Sequence, residues 1–381
     1  MAAIERFTVA VPESDLDDLR DRLGRTRWPD QLPGVGWSYG TDRDYLRELV
    51  EYWRTGYDWR KAEDRLNAWP NYVTEIDGQR LHFVHARSAE PGARPLLLGH
   101  GWPSTPGEFL DVIGPLTDPR AHGGAAEDAF HVVIPSIPGY GWSGPTTETG
   151  WHPGRVARAY LTLLHELGYE QFYAQGGDYG AVIATQMALA APERFLGLHL
   201  NFLVTAGLRP EDGEPTEAEA RLAAEQAVYN ATETGYIALQ ATKPQTIAYA
   251  LADSPVALAA WIVEKLYRWT DHDGDLESVL TKDQILTTVT TFWLTGTGGS
   301  SGRLYYETGT AGMMGPAAER VTVPTSVGVF PKELYPVTRR IAEHHYDVVR
   351  WTEQPRGGHF PASEQPDLYV ADVRAAFAGP R

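Results

Sequence analysis

The stretch Phe172-Tyr-Ala-Gln-Gly176-Gly177-Asp178-Tyr179-Gly180, followed by the Ala-rich run from Ala181 to Ala191, carries the strongest fold signal in the chain. A short apolar run that passes through glycines into a helical pattern predicts a strand, a tight turn and a helix. The flanking glycines let the backbone turn so sharply that the central side chain stands exposed at the C-terminal end of the strand. That spacing presents a nucleophile, and here the side chain is the carboxylate of Asp178. Glycines also flank acids in plain turns. The strand–turn–helix setting is what singles this one out.

On either side the same rhythm recurs. Pro95-Leu-Leu-Leu-Gly, Phe130-His-Val-Val-Ile-Pro and Phe195-Leu-Gly-Leu-His-Leu are short apolar runs, and amphipathic stretches such as Arg155 to Leu167 separate them. Buried strands alternating with helices predict a mainly parallel α/β sheet. Before it, Tyr72-Val-Thr-Glu-Ile and Arg80-Leu-His-Phe-Val-His alternate about Asp77-Gly78, a hairpin signal. After Asn201 the pattern breaks. Glu211 to Glu225 reads as a solvated linker or helix, about Ala218 to Phe292 as helices without strands, and Gly296 to Gly302 as a flexible loop. Strand signals resume at Val321 to Phe330 and at Asp347-Val-Val-Arg-Trp, and Leu368 to Phe377 closes the chain as a helix. Residues 1–70 place Leu16, Leu19 and Leu23 on one helical face and then carry Trp28, Trp37, Trp53, Trp59 and Trp69. So many large rings in a short charged segment predict a wrapper that packs on a larger body. The expected division is 1–70 wrapper, 71–204 core, 205–312 helical cap and 313–381 core.

Composition excludes several classes. With 381 residues, 43% hydrophobic and 22% charged, the chain is an ordinary globular protein, large enough to bury its core without staples. It has no cysteine, which removes disulfides, thiolate metal sites and a thiol nucleophile. A net charge of −17 repels phosphates, so nucleic acid is not an expected partner. The start, Met1-Ala-Ala-Ile-Glu-Arg, has neither the basic nor the apolar segment of a signal peptide, and no apolar stretch approaches membrane-spanning length. A soluble, cytoplasmic protein without a membrane anchor is the expectation.

Three further signals fit the exposed acid. His100-Gly-Trp-Pro103 follows an earlier strand, where α/β-hydrolases supply one oxyanion-hole amide; the second comes from the residue after the nucleophile. Those donors would be Trp102 and Tyr179. Gly357-Gly358-His359-Phe360 follows the last strand, and the glycine pair permits a loop that carries His359 to the strand ends. The acid that orients this imidazole should follow a strand between the two. Asn201 is an amide, and Asp347 begins a strand; Glu333, in Phe330-Pro-Lys-Glu, is the choice. Asp271-His-Asp-Gly-Asp275 fails as a calcium loop because Lys282 stands where a bidentate Glu belongs. No zinc or dinucleotide motif is present, so neither metal nor cofactor is expected.

Together, Asp178 in Gly-Gly-Asp-x-Gly, His100-Gly-Trp-Pro103, Glu333 and Gly-Gly-His359-Phe resemble the microsomal-type epoxide hydrolases. This group includes juvenile-hormone epoxide hydrolases and relatives in fungi and actinobacteria. The resemblance spans nearly the whole chain and implies an α/β-hydrolase fold with a helical cap. It implies an aspartyl ester hydrolysed by water that His359 activates, and two cap tyrosines that donate to the epoxide oxygen. Those match Tyr236 and Tyr305, with Tyr306 adjacent to the second. The implied partner is a small hydrophobic or aryl epoxide, and a homo-oligomer is compatible with these features. Enzymes of enediyne-antibiotic pathways among the relatives suggest natural-product biosynthesis as a setting. Tyr179 departs from the family, where Trp is frequent, and the mammalian anchor helix is missing. A haloalkane or haloacid dehalogenase would share the aspartate but need halide donors in place of the tyrosine pair. A non-catalytic binding protein of the same fold would have lost part of the set, and no loss is seen.

Overall fold

The computed structural model describes residues 3–378; Met1 and Ala2, where the expectation about a leader begins, and residues 379–381 lie outside the described residues. Its strands are β1 (Glu5–Phe7), β2 (Asn71–Ile76), β3 (Gln79–Ala86), β4 (Arg94–Gly99), β5 (Phe130–Pro135), β6 (Phe172–Gly176), β7 (Phe195–Leu200), β8 (Val321–Val329) and β9 (Tyr346–Glu353). They form one sheet in the order β1-β2-β3-β5-β4-β6-β7-β8-β9. The first three and β5 pair antiparallel, and every pairing from β5 across to β9 is parallel. This is the α/β-hydrolase fold.

The apolar runs are continuous because both faces are covered. Leu96 and Leu98 pack with Val112, Ile113 and Leu116 of helix Leu110–Thr117 and with Val370 and Val373 of helix Pro366–Ala376. Leu97 points the other way, toward Val156 and Leu163 of helix Pro153–Glu166 and Ala184 and Met187 of helix Asp178–Ala190. The Asp77-Gly78 dipeptide turns the β2–β3 hairpin with φ of 54° and 73°, the two left-handed residues such a turn needs. From β4 the chain moves outward to β5 and then crosses back to β6. Ligands of open α/β sheets bind at the strand C-termini beside such a reversal. His100 to Trp102 follow β4 there, and Asp178 follows β6.

Between β7 and β8 the chain is helical among the described residues, with helices Glu217–Thr232, Gly235–Thr242, Pro244–Asp253, Pro255–Trp269, Lys282–Leu294, Gly298–Ser301 and Arg303–Thr310. The segment from Gly296 to Gly302, expected to be a flexible loop, is instead a buried turn of helix at Gly298–Ser301. Its glycines allow close packing: a Cβ on Gly299 would come within 2.5 Å of the Ala248 Cβ, and one on Gly298 within 2.8 Å of Leu258. No single helix among the described residues is long and apolar enough to cross a membrane.

The N-terminal segment wraps the cap as much as the sheet. Helices Glu13–Gly24, Arg43–Thr55 and Trp59–Asn67 lie against helices Pro255–Trp269 and Lys282–Leu294. Trp37 stacks on Tyr267 at 3.8 Å, and the Thr41 hydroxyl donates to the Ala260 carbonyl at 2.7 Å. Trp53 and Trp59 are buried. At ~25 cal/mol per Å² over the area an aromatic ring hides, each contributes about 4–6 kcal/mol, enough to fasten a short segment. The segment also holds a strand that the helical reading omits. β1 pairs with β2 through Glu5, Arg6 and Phe7, too few residues to show an alternation.

Candidate active site

The bend after β6 has the geometry its glycines predict. Asp178 takes φ +45°, a left-handed conformation that costs a non-glycine residue about 1–3 kcal/mol and clusters at functional sites. Close packing over-determines it. A Cβ on Gly180 would collide with the Gly99 carbonyl, and one on Gly176 would lie 2.5 Å from Gly180, so the helix start sits directly on β4 and β6. Asn201, the amide after β7, backs the bend: it lies beside Gly177 and accepts from the Gln175 amide at 2.7 Å.

The Asp178 carboxylate is held on both oxygens. Oδ1 accepts from the Trp102 backbone N–H at 2.8 Å, and Oδ2 lies 3.2 Å from His359 Nε2. The Tyr179 amide is in the first turn of its helix, where backbone donors lack intrahelical acceptors. His100 sets up the Trp102 donor from behind. Its Nε2 accepts from the Ile137 amide at 3.2 Å, which leaves Nδ1–H to donate to the Gly101 carbonyl at 3.1 Å. Burial pushes His100 down to about 4, so it stays neutral in that role.

His359 is fully enclosed, with Nδ1 at 2.6 Å from Glu333 Oε1. The same oxygen accepts from the Leu334 amide at 2.7 Å, and the buried Oε2 has no protein partner. Burial opposes the imidazolium, but the Glu333 and Asp178 carboxylates outweigh it and push His359 up to about 10. Asp347 takes no part. It stands at the N-terminal end of β9, half exposed, 3.4 Å from Arg320.

The two tyrosines come from cap helices Gly235–Thr242 and Arg303–Thr310. Tyr236 stacks on Trp102 with centroids 5.2 Å apart, and Tyr305 meets Trp102 edge-on at 6.0 Å. Tyr305 is 3% exposed and Tyr306 42%, which settles which of the neighbours faces the site. The Tyr305 hydroxyl is buried with no protein partner. Burial, then neighbouring phenols and Asp178, hold both tyrosines well above their ordinary range, so they remain donors. Tyr179, in place of the frequent Trp, packs edge-on against Tyr305 at 4.9 Å.

Asp178, Tyr236 and Tyr305 line one cavity of about 280 Å³ whose other walls are largely apolar, including Phe202, Ile237 and Met313. A second cavity, about 460 Å³, shares Val182, Phe202 and Met313 with it. Two residues near the site escaped the sequence reading. Lys265 is buried with its ammonium 4.7 Å from the Tyr236 ring centroid, and Glu364 bonds the loop that carries His359. A lysine within a largely apolar helix and a glutamate at the end of a four-residue helical turn carry no local signal that would mark them. Among the described residues no three His, Asp or Glu side chains gather as metal ligands. The Asp271 carboxylate instead accepts from the Gly357 amide at 2.8 Å.

Residues 4–109 match the family model described as epoxide hydrolase N terminus, and residues 94–230 match that of the alpha/beta hydrolase fold. The N-terminal match runs beyond residue 70, through the hairpin and β4 to the loop of Trp102. A chain from Stigmatella aurantiaca (strain DW4/3-1) is 47% identical over 382 residues, 98% of this chain and 84% of that one. Epoxide hydrolase 1 of Oryctolagus cuniculus is 37% identical over 399 residues, 97% of this chain and 88% of that one. The chain belongs to the microsomal-type epoxide hydrolase family. The crystal structure of juvenile hormone epoxide hydrolase from the silkworm Bombyx mori superimposes with a TM-score of 0.89 at 32% identity, covering 99% of this chain and 94% of that one. In an epoxide hydrolase the substrate is a small-molecule epoxide, and the carboxylate and the two phenols described above line one cavity, with the His359 imidazole behind the carboxylate.

Proposed function

We propose that this epoxide hydrolase opens its substrate to a vicinal diol through an ester on Asp178. The observation that carries the proposal is the shared cavity: a carboxylate with one oxygen tied to the Trp102 amide faces two buried phenols, one of them unpartnered. The carboxylate attacks an epoxide carbon, and the carbon–oxygen bond breaks. Tyr236 and Tyr305 bind the developing alkoxide, and one of them gives it a proton.

Ester formation changes the electrostatics at His359. In the resting enzyme the Glu333 and Asp178 carboxylates hold the imidazole charged against the cost of burial. Once Asp178 is an ester, one of the two charges is gone. The imidazolium then releases its proton, which restores the phenol, and the neutral ring becomes a base. His359 next takes a proton from water as the water oxygen attacks the aspartyl carbonyl. The oxyanion rests on the Trp102 and Tyr179 amides. Collapse expels the substrate alkoxide, which takes the proton back from His359, and the regenerated carboxyl returns its own proton to the ring. A hydroxyl nucleophile would form an ether with no carbonyl for water to attack; an aspartate makes its own exit.

The apolar lining and the adjoining second cavity support a bulky apolar or aryl epoxide, of the kind natural-product pathways supply. The tyrosine pair favours epoxide over halide, because phenols stabilise an oxygen that becomes a hydroxyl. A single turnover in heavy-oxygen water tests the ester. The first diol should carry an unlabelled oxygen from the enzyme, and the label should appear in the Asp178 peptide. Solvent label in that first diol would overturn the mechanism.

A further inference from the structure

Four consecutive backbone amides carry the base, and each has a specific acceptor. The Gly357 N–H donates to the Asp271 carboxylate at 2.8 Å, and the Gly358 N–H to Glu364 Oε2 at 3.0 Å. The His359 N–H donates to the Trp269 carbonyl at 2.8 Å, and the Phe360 N–H to Glu364 Oε1 at 2.9 Å. Glu364 Oε2 also accepts from the Asp271 amide at 2.7 Å, so the two acids belong to one network. Asp271 and Trp269 come from the cap, at the end of helix Pro255–Trp269; Glu364 comes from the core. The loop therefore hangs between the two.

The glycine pair is what permits this. Gly357 has φ +114°, and a Cβ on Gly358 would lie 2.5 Å from the Trp269 carbonyl oxygen and 3.0 Å from Glu364 Oε2. The cap backbone reaches the loop only because that Cβ is missing. The Trp269 side chain extends the link, with its ring 5.2 Å from both His359 and Tyr236.

We propose that Asp271 and Glu364 are positioning residues for His359, clamping its loop to the cap so that the imidazole is aimed at the Asp178 ester carbonyl. They touch neither substrate nor the reacting atoms. Loosening the clamp should slow ester hydrolysis and leave ester formation alone, because the nucleophile and phenols hang from other elements. The proposal rests on the ester mechanism above.

The test is pre-steady-state kinetics of Asp271→Ala, Asp271→Asn and Glu364→Gln, with the Asp178 peptide weighed by mass spectrometry after rapid quenching. Asn keeps an oxygen for the Gly357 amide and should behave as wild type. Gln replaces one acceptor oxygen with a donor, and Ala removes the acceptor. In those two variants kcat should fall about 10- to 100-fold, the loss expected when a catalytic group is displaced by ~1 Å. KM should fall in proportion, kcat/KM should stay within about twofold of wild type, and the ester should accumulate. A general packing defect gives a different pattern: kcat/KM falls with kcat and no ester builds up. That result, or unchanged kcat in both variants, overturns the proposal. His359→Gln keeps it separate from the mechanism it rests on. If that variant forms no adduct, the ester itself is wrong; if it does and the clamp variants do not, the clamp is wrong.

Discussion

Tyr236 and Tyr305 meet edge to face, ring centroids 5.9 Å apart, though they belong to different helices of the cap. Both also touch Trp102, whose amide donates to the Asp178 carboxylate, so the two phenols and the carboxylate are registered through one indole. Tyr305→Phe removes a buried hydroxyl without changing the ring. Its rate of ester formation should fall by about 10²-fold or more, the usual contribution of a positioned proton donor. Rapid-quench adduct formation measures it; an unchanged rate in both Tyr236→Phe and Tyr305→Phe would remove the pair from the mechanism.

Glu333→Gln should act on the second step. It neutralises one of the two carboxylates that keep His359 charged, so the imidazole's pKa should fall from its value near 10. The loss of orientation should lower kcat by about 10²-fold or more, by analogy with acids that orient a catalytic histidine. Histidine titration by NMR reads the first effect and steady-state kinetics the second.

Stability should depend on pH through the same ring. His359 is raised above the ordinary histidine range, so its folded form binds a proton more tightly than its unfolded form. The ion-pair contribution is fully present below about pH 6.5 and disappears as pH rises through about 10. Urea midpoints across that window should decline more steeply for wild type than for His359→Gln. Parallel curves would mean the ring is not charged in the resting enzyme.

Gly101→Ala should cost most of the activity. A Cβ there would overlap the Asp178 carboxylate, which must move away from the Trp102 amide. The expected loss in kcat/KM is about 10²-fold or greater, the cost of misplacing a reacting group. The melting temperature should fall as well, because the added Cβ would also lie 2.3 Å from the Asp178 Cβ, which rotation of the carboxylate cannot move and the tight bend holds in place.

Asp372 gives the opposite case, stability without catalysis. This buried carboxylate bonds His199 at 2.8 Å and Arg350 at 2.6 Å. Burial alone would raise it; the two partners bring it down to about 2, so its stabilisation is present above about pH 4 and is lost toward pH 2. Asp372→Ala strands His199 and Arg350 and should cost about 3–5 kcal/mol in urea unfolding, with kcat of the folded fraction unchanged.

Much of this site can be read from the chain because its chemistry lies where periodicity changes. Asp178, Trp102, Glu333 and His359 each stand at a strand end marked by glycine or proline. A strand end is a local pattern. The clamp is not local: Asp271 meets Gly357 from the helical segment between β7 and β8, and nothing in either neighbourhood announces the pairing. Gly298 to Ser301 shows the converse, since glycines that suggest mobility serve instead to admit Ala248 and Leu258 at close range. Adjacent helical residues point about 100° apart, so only the packed helix could separate Tyr305 from Tyr306.

The insertion of the cap between β7 and β8 has a consequence for biosynthesis. Translation supplies Asp178 first and Tyr236 and Tyr305 next. Glu333 and His359, borne by the loops after β8 and β9, emerge only then. A truncated product ending within the cap would lack Tyr305, two strands of the sheet and the helix that covers Leu96 and Leu98. The nascent enzyme therefore completes its sheet and its candidate site together, once the polypeptide beyond the cap has left the ribosome.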